Sequence, residues 1–352
     1  MNATPAKMNP ARNTNAPRMP QTHGEDRGPP ILLDQAQDNG AQSSLTRDSL
    51  VWDGEAWVAS YPFSDLETTR RIVANTYVRV RDGEIVTRTR VEPEEGHVMP
   101  AWSKRSAAGV TRLWCGTTFA IVDTVATDGT VVSLSTVYAA AYLCGGVAPT
   151  ATGFAVLGRA LLQTQFMHIS DDGTLSEMVP LPLRRGAPEV AVVGLFPDGA
   201  GFRALWNEPA EDNVRRTNLM MARIRADGSI DGEPQAVGAA TGWSWTTAGM
   251  IVQNGNPVVT WNATHSELGG YNSSVRARRM GSAGGACELS DVTFDMDFDA
   301  REVAVLPNGE HEAVAFWIDS RQQPYTVSGS HARHQITMQR MGEACPPFSA
   351  SR

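Results

Sequence analysis

The chain has 352 residues, 41% of them apolar, and a formal charge of -8. Such a length holds one large core or two ordinary ones. The acidic balance argues against nucleic acid as a partner, because phosphate binding needs a clustered basic face, and no apolar run of about 18 residues encodes a membrane-spanning helix.

Residues 1–29 are rich in Asn, Pro, Ala and Arg and have no apolar core of a signal peptide. They read as a disordered leader. Taken as it stands, this start predicts a cytoplasmic protein; the alternative is an exported protein whose signal peptide is missing from the chain. Next comes a short strand-like segment at residues 31–34, Ile-Leu-Leu-Asp.

From there a unit recurs: strand, tight turn, apolar strand, polar loop, strand, glycine turn. The first copy covers residues 50–57 with Asp53-Gly54 and closes at Asp82-Gly83. A second covers 111–122 with Cys115-Gly116 and closes at Asp128-Gly129. The third covers 147–157 with Gly153 and closes at Asp172-Gly173. In the fourth, residues 192–196 meet Pro197-Asp198-Gly199, then 202–206, a loop, 219–225 and Asp227-Gly228. Residues 250–252, Asn254-Gly255, 258–261 and 275–280 make the fifth, which ends in glycines between 281 and 285. The sixth runs through 303–306, Asn308-Gly309, 313–317 and 335–341 to Gly342. Asp-Gly and Asn-Gly supply the positive φ that tight hairpin turns need. The closing turns recur at about 45 to 60 residues, a blade-sized period.

A fourth strand follows each closing turn at 84–90, 131–137, 175–181, 230–237 and 288–294. After the sixth turn the chain offers only Cys345-Pro346-Pro347-Phe348, and proline cannot donate to a strand ladder. The segment at 31–34 is therefore expected to supply the missing strand and lock a ring. The predicted fold is an all-β, six-bladed propeller of four-stranded antiparallel blades, one domain over residues 30–348. These repeats resemble the broad class of bacterial β-propellers. They lack the Trp-Asp of WD40 blades and the recurring paired glycines of kelch blades, and Ser170-Asp171-Asp172-Gly173-Thr174 is not the Asp-box of sialidases.

Cysteine usage leaves two readings for Cys115 and Cys144, a bridge or separate thiols. Cys287 and Cys345 sit at equivalent rim positions of adjacent repeats and read as isolated, half-buried thiols.

Propellers carry unrelated functions on one scaffold, so function must be argued from a site. Tight turns fall on one side and the longer loops, at about 62–75, 207–218, 262–273 and 318–334, on the other, where binding groups concentrate. Catalytic candidates there are His265, His331, His334, Glu208 and Asp319, the residue types of acid/base chemistry. Ligand-binding candidates are Trp243, Trp245, Tyr271, Arg321 and Tyr325, able to stack on a ring or clamp an anion. Asp295, Asp297 and Asp299 alternate so that an extended backbone puts three carboxylates on one face, which reads as a solvated acidic edge or a calcium site; no other cofactor is expected. The leading expectation is a non-catalytic binding or scaffold propeller holding a protein, peptide or glycan. The alternative is an enzyme at the same mouth, a hydrolase or lyase on carbohydrate or peptide, or a tailoring enzyme of secondary metabolism.

Overall fold

The computed structural model describes residues 49–65, 72–82, 84–91, 102–116, 119–138, 142–160, 163–181, 183, 191–210, 216–241, 248–253, 255–265, 272–281, 286–288, 300–308, 312–319 and 335–341. Among them, 23 strands form six antiparallel sheets in which each strand pairs with its neighbour in sequence. The first sheet is β1 Leu50–Trp52, β2 Trp57–Asp65, β3 Ile72–Arg81 and β4 Glu84–Val91. The second is β5 Trp102–Ser106, β6 Gly109–Cys115, β7 Phe119–Val125 and β8 Val131–Tyr138. The third is β9 Tyr142–Thr150, β10 Gly153–Ala160, β11 Gln163–Ser170 and β12 Val179–Pro180. The fourth is β13 Ala191–Asp198, β14 Gly201–Pro209, β15 Arg216–Ile224 and β16 Ile230–Thr241. The fifth is β17 Ala248–Gln253, β18 Asn256–His265, β19 Asn272–Met280 and β20 Ala286–Glu288. The sixth has three described strands, β21 Ala300–Asn308, β22 Glu312–Asp319 and β23 Gln335–Met341.

First strands of successive sheets touch: β5 meets β1 and β9, β13 meets β9 and β17, and β17 meets β21. The second strand of a sheet is thereby covered on both faces, and β6 is buried along its whole length. The four seams from the second sheet to the sixth close over apolar side chains. Leu113, Val122, Phe154 and Met167 join the second to the third sheet. Leu157, Phe166, Leu195 and Trp206 join the third to the fourth. Leu205, Met250, Val259 and Trp261 join the fourth to the fifth, and Val258, Val275, Val303 and Val305 the fifth to the sixth. Burying one such side chain contributes roughly 1.5–3 kcal/mol, and radially packed sheets leave few unpaired edges inside.

The closing turns add a second lock. Gly173 has φ +84°, and a Cβ there would lie 2.5 Å from the Ser135 side chain of the second sheet. Only glycine satisfies both the left-handed backbone and the close approach. Ser135 Oγ donates to the Asp172 carbonyl at 2.9 Å. One repeat earlier, Thr89 Oγ1 donates to the Gly129 carbonyl at 2.8 Å.

Three expectations about elements are corrected. Cys115-Gly116 does not turn the first strand of the second sheet into its second; it leads from β6 toward β7. The first strand is β5, whose Ser-Lys-Arg-Ser run carries no apolar alternation. Its Lys104 is nonetheless buried, because Nζ donates to the Thr150 and Ala151 carbonyls at 2.9 and 3.1 Å and pairs with Asp171 at 2.9 Å. The fourth strand expected over 175–181 shrinks to Val179–Pro180 and an isolated bridge from Ile169 to Leu175. Pro180 has no N–H for a ladder, and Ser176 Oγ accepts from the His168 N–H at 2.9 Å. Finally, β2 with β3, β14 with β15 and β18 with β19 stay paired into polar sequence, which shortens three of the expected loops to residues 66–71, 210–215 and 266–271.

Candidate functional site

The bridge left open in the sequence forms: Cys115, at the loop end of β6, is joined to Cys144 on β9 with 6.0 Å between Cα atoms. It ties the second sheet to the third on the side carrying the links between second and third strands. Of the candidate residues on that side, Glu208 lies in β14, half-buried, and its Oε2 accepts from the Trp206 indole N–H at 3.3 Å. His265 ends β18 opposite Asn272, and Asp319 ends β22 opposite Gln335. Trp243, Trp245, Tyr271, Asp295, Asp297, Asp299, Arg321, Tyr325, His331 and His334 lie outside the described residues. Within the described residues no group of three or more His, Cys, Asp or Glu is placed to hold a metal, and no helix is long and apolar enough to cross a membrane.

Aligning the second strands of the last five sheets on their first residues, Gly109, Gly153, Gly201, Asn256 and Glu312, shows how the rim is built there. Five residues on stand Trp114, Gly158, Trp206, Trp261 and Trp317; seven on stand Gly116, Ala160, Glu208, Ala263 and Asp319. Glu208 and Asp319 thus hold the same repeat position, two sheets apart, with His265 two residues beyond it in the sheet between. Trp206 and Trp261, which precede Glu208 and His265, are buried, so those two rim positions rest on strands with fixed ends.

Three residues along the same alignment stand Arg112, Val156, Ala204, Val259 and Ala315. Arg112 breaks the run of small apolar residues, and it does so in the seam between the first and second sheets. Arg112 and Asp123 face each other across β6 and β7, and both side chains are fully buried. The guanidinium grips the carboxylate through Nε at 2.6 Å and through Nη2; Trp114 Nε1 donates to the same carboxylate at 3.3 Å. The Trp114 ring lies 4.6 Å and the Tyr77 ring 5.7 Å from the guanidinium carbon, the distances of cation–π contacts.

The opposing face of the first sheet carries Arg79, Tyr77 and Ser60, with Tyr77 and Ser60 directly paired. Arg79 Nε donates to Asp53 at 2.6 Å and Nη2 to Glu55 at 3.0 Å. Burial alone would raise the Asp53 carboxyl, but the Arg79 hydrogen bond and the Glu55 and Ala56 backbone N–H groups outweigh it and hold it below the usual range. Burial, and then the Asp53 charge, push the Tyr77 phenol up, so it stays protonated and a donor. Buried polar atoms in this seam, among them Ser60 Oγ, Asn75 Oδ1, Tyr77 OH, Ser103 Oγ and Arg112 Nη1, have no hydrogen-bond partner. Sequence reading missed this cluster, and the repeat alignment is the signal that finds it.

On the opposite, turn side, a cavity of about 200 Å³ opens on the third sheet among Thr150, Thr152, His168, Ser170, Thr174 and Ser176. Its groups are engaged within the protein: a His168 ring nitrogen lies 3.0 Å from the Ala226 carbonyl, and Ser170 Oγ donates to Asp172.

The chain matches no protein-family model and no curated protein sequence. Solved structures similar to it include a subtype N11 neuraminidase-like protein of A/flat-faced bat/Peru/033/2010, at TM-score 0.50 and 8% identity over 89% of this chain and 91% of that one. A subtype N10 neuraminidase-like protein of A/little yellow-shouldered bat/Guatemala/060/2010 is similar at TM-score 0.48 and 8% identity, over 85% and 93%. Domains 1–2 of Drosophila Semaphorin 1b are similar at TM-score 0.46 and 10% identity, over 85% and 77%. The first of these likenesses is one of fold, and the fold is propeller-like.

Proposed function

We propose that the sheets close into a six-bladed ring, with residues 31–34 adding the fourth strand beyond β23, in one domain over 30–348 behind a leader at 1–29. Two faces support closure. The first sheet turns Ala59, Tyr61 and Val78 away from the second, and the sixth turns Leu306 and Val314 away from the fifth. Apolar faces at both ends of a row of sheets are best buried against each other. The Cys115–Cys144 bridge supports an oxidising compartment, and with it export.

On this ring the chain binds a glycan, peptide or protein at the side of the long loops, without catalysis. The observation that carries this reading is Glu208, a carboxylate held at the rim by an indole N–H on a strand whose other groups are packed. Such a fixed acceptor orients a ligand hydroxyl or amide at little entropic cost. Titration of the intact protein against glycan and peptide arrays tests it: Glu208→Gln and Trp243→Ala with Trp245→Ala weaken capture at least about tenfold, one lost hydrogen bond to a charged group being worth about 1.5–3 kcal/mol. Capture unchanged in both variants refutes it.

A second reading, a hydrolase or lyase at the same mouth, is favoured by the shared repeat position of Glu208 and Asp319 around His265. Carboxylates placed on one ligand from different blades are the raw material of general acid/base chemistry. Chromogenic glycosides and peptides separate the two: a binder returns them intact, an enzyme turns them over and loses this in Glu208→Gln and in Asp319→Asn.

A further inference from the structure

The last described strand of each of the six sheets can be compared edge by edge. β4 carries Glu84, Arg88 and Arg90; β12 is two residues long and ends in Pro180; β16 carries Asp231, Glu233 and Pro234; β20 is three residues long and ends in Glu288; β23 carries Arg340. Charges, prolines and shortness are the means by which natural sheets keep their edges from pairing with other chains. β8 alone has none of these three, its one irregularity being a bulge at Val132 of the kind β4 and β16 also carry. Its sequence, Val-Val-Ser-Leu-Ser-Thr-Val-Tyr, is eight residues long and uncharged.

This edge is also fixed and apolar. Its odd-numbered residues pack toward the third sheet: Val137 is buried, and Ser135 Oγ donates to the Asp172 carbonyl. The even-numbered ones stand free, with Val132 58%, Leu134 55% and Tyr138 72% exposed. Scattered surface apolar residues need no explanation; three on one face of an unguarded strand do.

We propose that β8 pairs antiparallel with β8 of a second copy of this chain across a two-fold axis at Ser135. The occupant is a second copy because the strand is complementary to itself: this register sets Val132 against Tyr138 and Leu134 against Thr136, each twice. Aromatic with β-branched, and aliphatic with β-branched, are favourable cross-strand pairs, and all lie on the exposed face. Each chain carries a formal -8, so two copies repel over most of their surface and meet best where a strand has no charge. The contact is isologous and closes at two. One strand pair buries less than the roughly 1,200 Å² of a standard interface, so the dimer is weak and forms at high concentration.

Sedimentation velocity over a concentration series tests this on the full chain. The wild type shifts from monomer to dimer as concentration rises. Val132→Glu or Tyr138→Lys alone raises the dissociation constant about tenfold, since each loses about 0.7 kcal/mol at two symmetric places. The double variant sets the introduced carboxylate of one copy directly opposite the introduced ammonium of the other and recovers the wild-type constant to within about threefold. Both sites are exposed, so folding is not at stake, and a circular-dichroism melt confirms it. A monomer at all concentrations overturns the proposal; so does a dimer indifferent to the single changes, or a double variant as weak as either.

Discussion

The seam between the first and second sheets and the seam between the third and fourth are built on the same strand pattern from opposite materials. In the latter, Leu157, Phe166, Leu195, Ala204 and Trp206 make a dry cluster, with the Phe166 and Phe202 rings 5.7 Å apart. In the former, Arg112, Asp123, Arg79 and Asp53 occupy the interior beside Val58, Tyr77, Val110 and Val125. A hydrocarbon seam gains roughly in proportion to the area it buries. A charged seam gains only when every charge is matched, because each ion loses several kcal/mol of hydration. The two therefore fail differently: one degrades atom by atom, the other all at once.

The largest expected effect separates these modes. Arg112→Ala leaves the buried Asp123 carboxyl without its counter-charge and destabilises the fold by about 3–5 kcal/mol. The third sheet carries Val156 opposite Met167 at the same two places. Installing that pair, Arg112→Val with Asp123→Met, fills a similar volume without charge and is neutral or stabilising by up to about 4 kcal/mol. Urea unfolding of both variants decides it. A double variant as unstable as the single one would break the comparison, since the charges would then be needed for more than each other. Binding assays on the double variant sharpen it further: a seam that only holds sheets together leaves ligand capture untouched.

The next effect lies at the junction of the two regions. Cys115 and Cys144 close a loop of sequence separation 29, and constraining a loop of that length in the unfolded chain is worth about 3–4 kcal/mol. Replacing both cysteines by alanine lowers the thermal midpoint, and a reductant lowers that of the wild type by the same amount while leaving the variant unmoved. A reductant effect that persists in the variant would show that another thiol matters.

How much of this was legible beforehand depends on whether a residue obeys the repeat. Turns did: Asp128-Gly129, Asp172-Gly173 and Asp227-Gly228 were read from sequence and close their hairpins, with Gly129, Gly173 and Gly228 at positive φ. Lys104 and Arg112 did not. Both look like solvent-facing strand positions, because hydropathy alone cannot see a carbonyl pair or a carboxylate eleven residues away in sequence. The loops were overestimated for a related reason: Asn262, Ala263, Thr264 and His265 are polar or small, yet the ladder with β19 continues to the His265–Asn272 pair, since backbone pairing does not require apolar side chains. Of the candidate residues, Glu208 falls in β14 and Asp319 at the end of β22; their shared repeat position emerges only when strand starts are known.

The smallest effect tests the turns that lock one sheet onto the next. In three of them an aspartate folds back on its own hairpin: Asp128 Oδ1 accepts from the Thr130 N–H at 2.8 Å, Asp172 Oδ1 from Thr174 at 2.9 Å, and Asp227 Oδ1 from Ser229 at 2.9 Å. Asp172 gains the Ser170 hydroxyl as well, and that bond, ahead of the Thr174 N–H, brings its carboxyl down to about 2. A folded-state pKa below the unfolded one means that this turn's contribution is complete above about 3.9 and is lost as pH falls toward about 2. Asp172→Asn removes the titrating group, so its urea midpoint declines less than that of the wild type between pH 5 and pH 2.5, while the two agree more closely at pH 2.5. The same substitution at Asp128, which has the Thr130 backbone and side chain but no serine two residues before it, changes the decline less. Equal pH dependence in wild type and Asp172→Asn would mean that acid unfolding starts elsewhere, and the buried Asp53 carboxylate of the polar seam, held low by Arg79, is then the group whose protonation opens the fold.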